Sequence, residues 1–539
     1  MSNLEKPRVK RCLTKEDEER IDRLFAVWNE GLCPGGQVGV RYQGEVIYQK
    51  CFGYANLEHR IPVKDTTVFH IASMSKQITA MAVLLLHEDG KLHIDDDIRL
   101  YLADLVNFSE PVTIRQLMNN TSGIRDQFFL LNMCGVRIED TITQADTLRI
   151  IARQRNLNFK PGSMYSYSNS NYTLMAEIVT RVSGMSMTDW CRKRIFEPLG
   201  MTRTVFLGNF WQVIPNRADS YENNGYDGFV KHVLNFGTYG ATALNSCVTD
   251  YLKWFENLTN PTICSLETLQ LMKQRPVLEN GCLSEYAGGI TFYQLGSHKV
   301  FGHSGGDAQY RSNGEIYEDD GLEIIIFSNT GTQMPADLTK SIASIILKLE
   351  QPQDQPFTLQ TDQAPETSRM AGFYLCRESL YYSCEITLRN GVPYVSLSYE
   401  GTRMTHTGGN HFALGRYNMD CYFDETGFYA SMGEAVMRFD RLEKAILPPE
   451  KAIEYTGEYY SPELKTQYLF TVEAGVLTGR EWRDEPNPCY MVSHDQFICR
   501  FGRITERLSF IRNESNEVTG LTMENDRVFC MDFRKVKDI

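Results

Sequence analysis

Ile71-Ala72-Ser73-Met74-Ser75-Lys76 leads directly into Gln77-Ile78-Thr79-Ala80-Met81-Ala82-Val83-Leu84-Leu85-Leu86. The second stretch is apolar on nearly every side, as a helix enclosed by its neighbours must be. The first puts a serine three residues before a lysine at the entry of that helix. One helical turn brings the two side chains onto a common face. Free N–H groups and the positive end of the helix dipole gather at the same point, where an oxyanion would form. The pattern is a way to make a nucleophile. Ser-x-x-Lys alone is a common spacing that mostly marks solvated helix starts, so its meaning depends on the rest of the chain.

Upstream, Thr14 is placed to cap a helix with Asp17 three residues on, and Ile21, Leu24, Phe25 and Trp28 share one helical face. Pro34-Gly35-Gly36 breaks that helix. Val38, Val40 and Tyr42 then alternate, Gln43-Gly44 turns the chain, and Val46 and Tyr48 continue on a return strand. A helix feeding an antiparallel hairpin opens an α+β fold. Downstream, Asp89-Gly90 closes the Ser73 helix and Lys91–Asp97 reads as a solvated turn, with His87 and His93 as surface polar residues rather than metal ligands. Val112–Met118 reads as a short helix capped by Thr113, running into the turn Asn119-Asn120-Thr121-Ser122-Gly123.

Two further stretches stand out. Lys160-Pro161-Gly162-Ser163-Met164-Tyr165-Ser166-Tyr167-Ser168-Asn169-Ser170-Asn171-Tyr172 is rich in hydroxyls and precedes the helical Leu174–Val179. Such a loop is costly to order and buries little apolar area, which points to a site, although an ordinary helix cap competes with that reading. Val300-Phe301-Gly302-His303-Ser304-Gly305-Gly306-Asp307 lies between the strand-like Ala287–Tyr293 and Leu322–Phe327. Glycines inside a strand mark a bulge or the close approach of another group.

Taken in order, Ser73-x-x-Lys76, Tyr167-x-Asn169 and His303-x-Gly305 resemble the three motifs of the serine β-lactamase and penicillin-binding-protein family, nearest to its class C β-lactamase-like peptidase and esterase branch. The resemblance covers roughly residues 10–350, with Lys91–Asp96, Thr113–Leu117 and Thr121-Ser122-Gly123 as landmarks. Asn120 departs from it, because the family more often has histidine before Thr-Ser-Gly. His303 stands where true β-lactamases and transpeptidases carry lysine, which favours the peptidase and esterase members. The resemblance implies a catalytic domain built as an antiparallel sheet flanked by helices, with an all-helical lobe.

It also implies roles. Ser73 is the nucleophile of an acyl-enzyme mechanism. Tyr167 as phenolate or Lys76 as neutral amine takes its proton; each has an ordinary pKa of about 10, so proximity must lower one of them. A nearby ammonium favours the phenolate, so the reading prefers Tyr167 as base with Lys76 charged, the pair titrating as a unit. Asn169 orients Lys76 and the substrate amide, and His303 binds substrate or tunes Tyr167. The backbone N–H groups of Ser73 and Gly306 form the oxyanion hole, and the strand carrying Gly305 offers its edge to a peptide-like substrate.

Glu350-Gln351-Pro352-Gln353-Asp354-Gln355-Pro356 has the composition of a linker. Beyond it the chain repeats itself: Gly372-Phe373-Tyr374 recurs as Gly457-Glu458-Tyr459 and His411-Phe412 as Gln496-Phe497, both 85 residues apart. Met437-Arg438-Phe439-Asp440 and Met531-Asp532-Phe533-Arg534 close the two units alike. Short alternating strands predict two small antiparallel β-barrels of lipocalin-like form. The expected division is a catalytic domain over 1–350, a linker over 351–367, and barrels over 368–446 and 447–539. This arrangement resembles the three-domain D-aminopeptidases, in which a loop of the last barrel restricts the active site to short substrates with a free amino end. The corresponding stretch is Arg480–Pro488, and Glu481, Asp484 or Glu485 is the candidate holder of a substrate ammonium, with a solvated hairpin tip as the competing reading.

The 539 residues exceed what one core supports, and about two to four domains are expected. A net charge of −13 argues against a nucleic-acid partner. No run reaches the roughly 18 apolar residues of a membrane span. The first eleven residues lack the apolar core of a secretory signal, and the fourteen cysteines include no C-x-x-C pair, so the expectation is reduced thiols, no metal, no cofactor and a cytoplasmic location. The favoured function is serine hydrolysis of a small amide or peptide substrate, with D-aminopeptidase action as its sharpest form. An esterase or a DD-peptidase with weak β-lactamase activity shares the same motifs, and a non-catalytic scaffold is the reading from another class. A homodimer is the simplest assembly left open.

Overall fold

Thr14 caps the first helix through its hydroxyl, which accepts from the Asp17 N–H at 3.0 Å, and α1 runs over Lys15–Leu24. In the computed structural model, residues 13–349 and 367–536 are described, except 107, 224–227, 377–382, 390, 397–400, 415–418, 433–434, 443–446 and 503. Most of the expected 351–367 linker therefore lies outside the described residues. The hairpin follows as read: β1 is Gly36–Tyr42 and β2 Glu45–Phe52, joined at Gln43 and Gly44, both with positive φ.

The helix carrying the serine motif, α2, spans Ser75–Glu88, and a second helix, α3, spans Asn169–Ser183. Val248–Thr259 forms α4. The later strands are β3 (Tyr286–Ala287), β4 (Ile290–Leu295), β5 (His298–Asp307), β6 (Tyr310–Tyr317) and β7 (Leu322–Ser328), followed by α5 (Pro335–Leu347). All seven strands make one antiparallel sheet in the order β3-β4-β5-β6-β7-β1-β2. Strand β7 explains its own unbroken apolar sequence. Ile324 and Ile326 join the cluster with α1 and α5, whereas Ile325 and Phe327 join the one with α2 and α4. A strand covered on both faces has no polar side to alternate with.

The second face carries the lobe that holds α2, which is buried at every position from Ser75 to Leu86. The lobe is not all-helical as expected. Short strands at Ile142–Thr143 and Phe236–Gly237 pair in parallel, and Leu244–Ser246 pairs with Phe69–His70 and with Val205–Phe206. Lys91–Asp97 is solvated only in part, because Leu92 and Ile94 are buried. Among the described residues no helix is long and apolar enough to cross a membrane.

The remainder forms two nine-stranded antiparallel sheets of identical order, each a meander whose first and last strands pair and so curl it into a barrel-like form. Gly372–Cys376 opens one and Gly457–Ser461 the other; Ala435–Leu442 and Met531–Lys535 close them. The repeat extends to a side-chain bond: Tyr374 donates to the Met370 carbonyl and Tyr459 to the Tyr455 carbonyl, four residues back in both. The first barrel has its own core around Tyr374, Phe412 and Phe428. The last one shares a core with the lobe, where Phe129, Met133 and Phe236 join Tyr468, Phe470 and Phe501.

Gly289, between β3 and β4, lets this sheet close on the serine helix. Gly289 has φ +75°, and a Cβ there would stand 2.7 Å from the Gln77 nitrogen and the Lys76 carbonyl carbon. Gly281 has φ +82° in open space. Gly281→Ala should therefore cost only the left-handed strain, about 1–2 kcal/mol. Gly289→Ala adds a backbone clash, and thermal melting should show at least about twice the loss of Tm.

Candidate active site

Ser73 stands at the entry of the helix, as the motif suggests. It lies on a single tight turn, Ala72–Met74, just before α2. Ala72 takes φ +47°, a conformation that costs an alanine about 1–2 kcal/mol. The turn is over-determined: Ser75 Oγ donates to the Ala72 carbonyl at 2.5 Å and accepts from the Leu244 N–H at 3.0 Å, and the Ile71 N–H meets the Leu244 carbonyl. The strain buys exposure for one side chain: from Ile71 to Leu86, Ser73 is the one residue not buried.

Lys76 lies in the first turn of α2 with no exposed surface. Its Nζ is 3.1 Å from Ser73 Oγ, 2.8 Å from Asn169 Oδ1 and 2.7 Å from the Ala241 carbonyl. The Asn169 amide can face only one way. Its Nδ2 donates to Asp126 Oδ2 at 2.8 Å, so Oδ1 is left for Lys76. Asp126 is itself fixed, because Oδ2 also accepts the Asn169 N–H and Oδ1 caps the helix Gln127–Met133 at the Phe128 N–H. Two acceptors thus take two N–H groups of a neutral amine, and its lone pair is left for the Ser73 hydroxyl. Burial pushes Lys76 down from the ordinary lysine range to about 7; Asp307 and Asp126 oppose this and Arg527 adds to it.

Tyr167 behaves oppositely. Desolvation holds its phenol well above the ordinary tyrosine value, although a hydrogen bond with Ser73 and the Arg527 charge pull the other way. Its ring lies between Lys76 Nζ, 4.8 Å from the centroid, and the Arg527 guanidinium carbon at 4.9 Å. Both directions run against the preferred sequence reading, a Tyr167 phenolate beside a charged Lys76. No carboxylate bonds Lys76 directly, and the charges of Asp307 and Asp126 offset only part of the desolvation of an ammonium; an enclosed phenolate is costlier still.

His303 is buried, and burial with the nearby Lys76 charge brings it down to about 3. It is therefore a neutral imidazole. Nδ1 faces the Ser304 carbonyl at 2.5 Å and must donate, so Nε2 accepts from the Tyr286 hydroxyl at 3.1 Å. Strand β4 pairs with β5 only as far as Gly302, which leaves 303–307 with one edge unpaired by β4 and facing the cavity. Gly305 is pressed on the serine turn: a Cβ there would meet the Ile71 carbonyl at 2.4 Å and the Ser73 nitrogen at 3.0 Å. Gly306 follows along the same edge.

Ser73 opens into a cavity of about 750 Å³ that also meets Tyr167, Asn169, His303, Gly305, Gly306 and Asp307. The acidic stretch of the last barrel does not reach it. Glu481 is buried at the end of the strand Val476–Glu481, accepting from the Arg483 N–H and standing 4.0 Å from Arg137. Asp484 is held by Arg137 at 2.5 Å and by the Gly502 N–H at 2.8 Å, and Glu485 is exposed. Arg483 binds Asp140 and the Gly135 carbonyl. The loop is a clamp on residues 134–140 of the lobe, where Asp484 and Glu481 both meet Arg137.

Four groups at the site escaped the sequence reading. Asp126 stands before the apolar run Phe128–Leu131, where a helix-cap reading was available. The Ala241 carbonyl has no side-chain signature. Asp307 sits two residues past Gly305, on the same face of β5 as His303 and Gly305. Arg527 arrives from the last barrel.

A sequence model of the Beta-lactamase family matches residues 11–345. The chain belongs to this family. Among its curated relatives are proteins named D-aminopeptidase: that of Gluconobacter oxydans is 30% identical over 299 residues, 55% of this chain and 56% of that protein. One from Cereibacter sphaeroides is 29% identical over 335 residues, 61% of this chain and 63% of the relative. The match thus spans little more than half the length of these family members. The solved octameric penicillin-binding protein homologue of Pyrococcus abyssi superposes with TM-score 0.57 at 20% identity, over 91% of this chain and 98% of that one. The D-amino acid amidase of Ochrobactrum anthropi SV3 superposes with TM-score 0.52 at 22% identity, over 62% of this chain and 99% of its own. These two share the fold.

The inverted pair has a testable pH signature. If Lys76 must be neutral to take the Ser73 proton, labelling of Ser73 by a fluorophosphonate should rise with pH through about 7 and then level off. A rise that begins only near 10, the ordinary value of lysine and tyrosine alike, would contradict a Lys76 that is neutral near pH 7.

Proposed function

We propose that this chain is a serine hydrolase that cleaves amide bonds of small substrates bearing a free amino group, in the manner of a D-aminopeptidase. The observation that carries the proposal is the directed chain Asp126–Asn169–Lys76–Ser73 at the floor of a cavity. Neutral Lys76 accepts the Ser73 proton as Oγ attacks the substrate carbonyl carbon. The N–H groups of Ser73 and Gly306 hold the resulting oxyanion, and losing such a donor costs about 3–4 kcal/mol. The proton on Lys76 then passes to the leaving nitrogen, with the Tyr167 hydroxyl, bonded to Ser73, as relay. The C–N bond breaks and an acyl-enzyme remains. Water gives its proton to Lys76, attacks the acyl carbon and releases Ser73, which regains the proton.

Two features favour an amine-bearing substrate over a β-lactam. His303 is neutral, so the third motif offers no fixed charge to a lactam carboxylate. Asp307 lines the cavity with its Oδ2 held by the Thr242 hydroxyl and by His70 Nε2, at 2.8 Å. Burial keeps His70 neutral, so it donates a hydrogen bond without neutralising the carboxylate. Asp307 therefore replaces Glu481, Asp484 and Glu485 as the residue that holds the substrate ammonium. The D-aminopeptidase relatives support the stereochemical part of the proposal. A cytoplasmic setting and a homodimer belong to it as well; the free thiols among the described residues, most of them buried, support the first, and analytical ultracentrifugation reads the second.

Hydrolysis of D- and L-alanine p-nitroanilide, beside p-nitrophenyl acetate, tests the reading. Ser73→Ala should abolish all turnover, and the D-anilide should be the better amide. Asp307→Asn should raise KM for the D-anilide about tenfold or more while leaving the uncharged ester within about twofold. Equal effects on both substrates would remove Asp307 from ammonium binding. Turnover of the ester alone would remove the amidase reading.

A further inference from the structure

Gly502, Ile504 and Arg527 of the last barrel also line the Ser73 cavity, and Arg527 is the charged one of the three. Arg527 sits on the turn between the strands Val518–Glu524 and Met531–Lys535 of the last barrel, and it lines the cavity beside Tyr167. The turn is built from both sides. Within the barrel, Asn525 Nδ2 donates to both oxygens of buried Glu506, at 3.0 and 3.1 Å, and Asn525 Oδ1 accepts the N–H groups of Arg527 and Val528 at 2.9 Å. Across the interface, Asn158 Nδ2 donates to the Arg527 carbonyl at 3.0 Å and Asn158 Oδ1 accepts from the Phe529 N–H at 2.8 Å. Arg125 adds a bond to the Phe529 carbonyl at 2.9 Å. A turn anchored in this way delivers its side chain to a set place.

The guanidinium carbon lies 4.9 Å from the ring centroids of both Tyr167 and Phe129, and Nη1 is 3.5 Å from Asp126 Oδ2. That is the same oxygen that fixes Asn169. We propose that Arg527 is a positioning residue of the Ser73 site, supplied by the last barrel, which steadies Asp126 and Tyr167 from behind and sets a fixed positive charge next to the Lys76 network. The catalytic domain on this account is electrostatically incomplete until the barrel docks.

The direction of the effect follows from the charges around Lys76. Asp126 and Asp307 favour an ammonium there, neutral His303 adds no charge, and Ser73, Asn169, Tyr167 and Tyr172 are uncharged neighbours. Arg527 is the cation that opposes the two acids, and Asp526 and Asp126 are the acids facing it. Without Arg527, Asp126 acts on Lys76 unopposed. The ammonium is then stabilised, and Lys76 becomes available as a base only at higher pH.

The inference rests on Ser73 and Lys76 acting as proposed above. Its test is the pH dependence of Ser73 labelling by a fluorophosphonate in the full chain, for wild type, Arg527→Met and Arg527→Lys. Arg527→Met should move the acid limb up by about one pH unit, which makes labelling about tenfold slower at pH 6, while Arg527→Lys should keep the limb near that of wild type. A limb that stays in place in Arg527→Met, with labelling slowed equally at all pH values, would reduce Arg527 to packing and overturn the inference. If melting shows Arg527→Met to be unfolded, Arg527→Gln, which can still bond Asp126, reads the charge instead. If wild type shows no limb between pH 5 and 9, the Lys76 reading itself fails and the inference falls with it. A wild-type limb near pH 7 with no shift in the charge-free variants sinks the Arg527 role alone.

Discussion

Desolvation of Lys76 is the condition on which the rest of the site depends. A lysine in water is an ammonium at neutral pH and cannot take a proton from serine. Here the side chain is fully enclosed, its bonding partners are a carbonyl, an amide oxygen and a hydroxyl, and the nearest acids act through Asn169 or across the cavity. The amine is thereby brought to about 7, where the neutral form is plentiful. Tyr167, in the same enclosure, is driven the other way and stays a phenol. On the proposed mechanism, this one physical effect, applied to a cation and to a potential anion, makes one the base and the other a proton relay.

The architecture serves that enclosure. The turn at Ala72 accepts strain to project Ser73 while α2 stays buried behind it. Gly289 and Gly305 let the sheet approach the serine turn and the first turn of α2 more closely than any side chain would allow. The shared core between lobe and last barrel brings Arg527 to the back of Tyr167. In the acidic 481–485 segment, which charge alone marks as functional, Glu481 and Asp484 turn to Arg137 and the Gly502 N–H.

Much of this was legible in the chain. The β1–β2 hairpin announces itself through alternation and Gln43-Gly44, and the 85-residue repeat returns as two sheets of the same strand order. The Ser73, Tyr167 and His303 motifs converge because each is a local pattern of side chains at fixed spacing. What stayed hidden has no such pattern. The Ala241 carbonyl is backbone, Asp126 reads as a helix cap, and Arg527 is one charged residue in a hairpin turn 360 residues from Tyr167. The microstate proposed here departs from the preferred sequence reading for a related reason. Spacing shows that an amine and a phenol are neighbours, whereas the choice between them is made by burial, which is a property of the whole fold.

The central claim is that Lys76 is substantially neutral at neutral pH in the resting protein. The direct measurement is an NMR titration of ¹³Cε-labelled lysine, with the Lys76 signal identified by its absence in Lys76→Arg. A Lys76 midpoint near 7, set apart from the bulk of the lysines at their ordinary values near 10, is the result this account predicts. A Lys76 midpoint among the bulk lysines would contradict it, and would return the proton-accepting role to Tyr167.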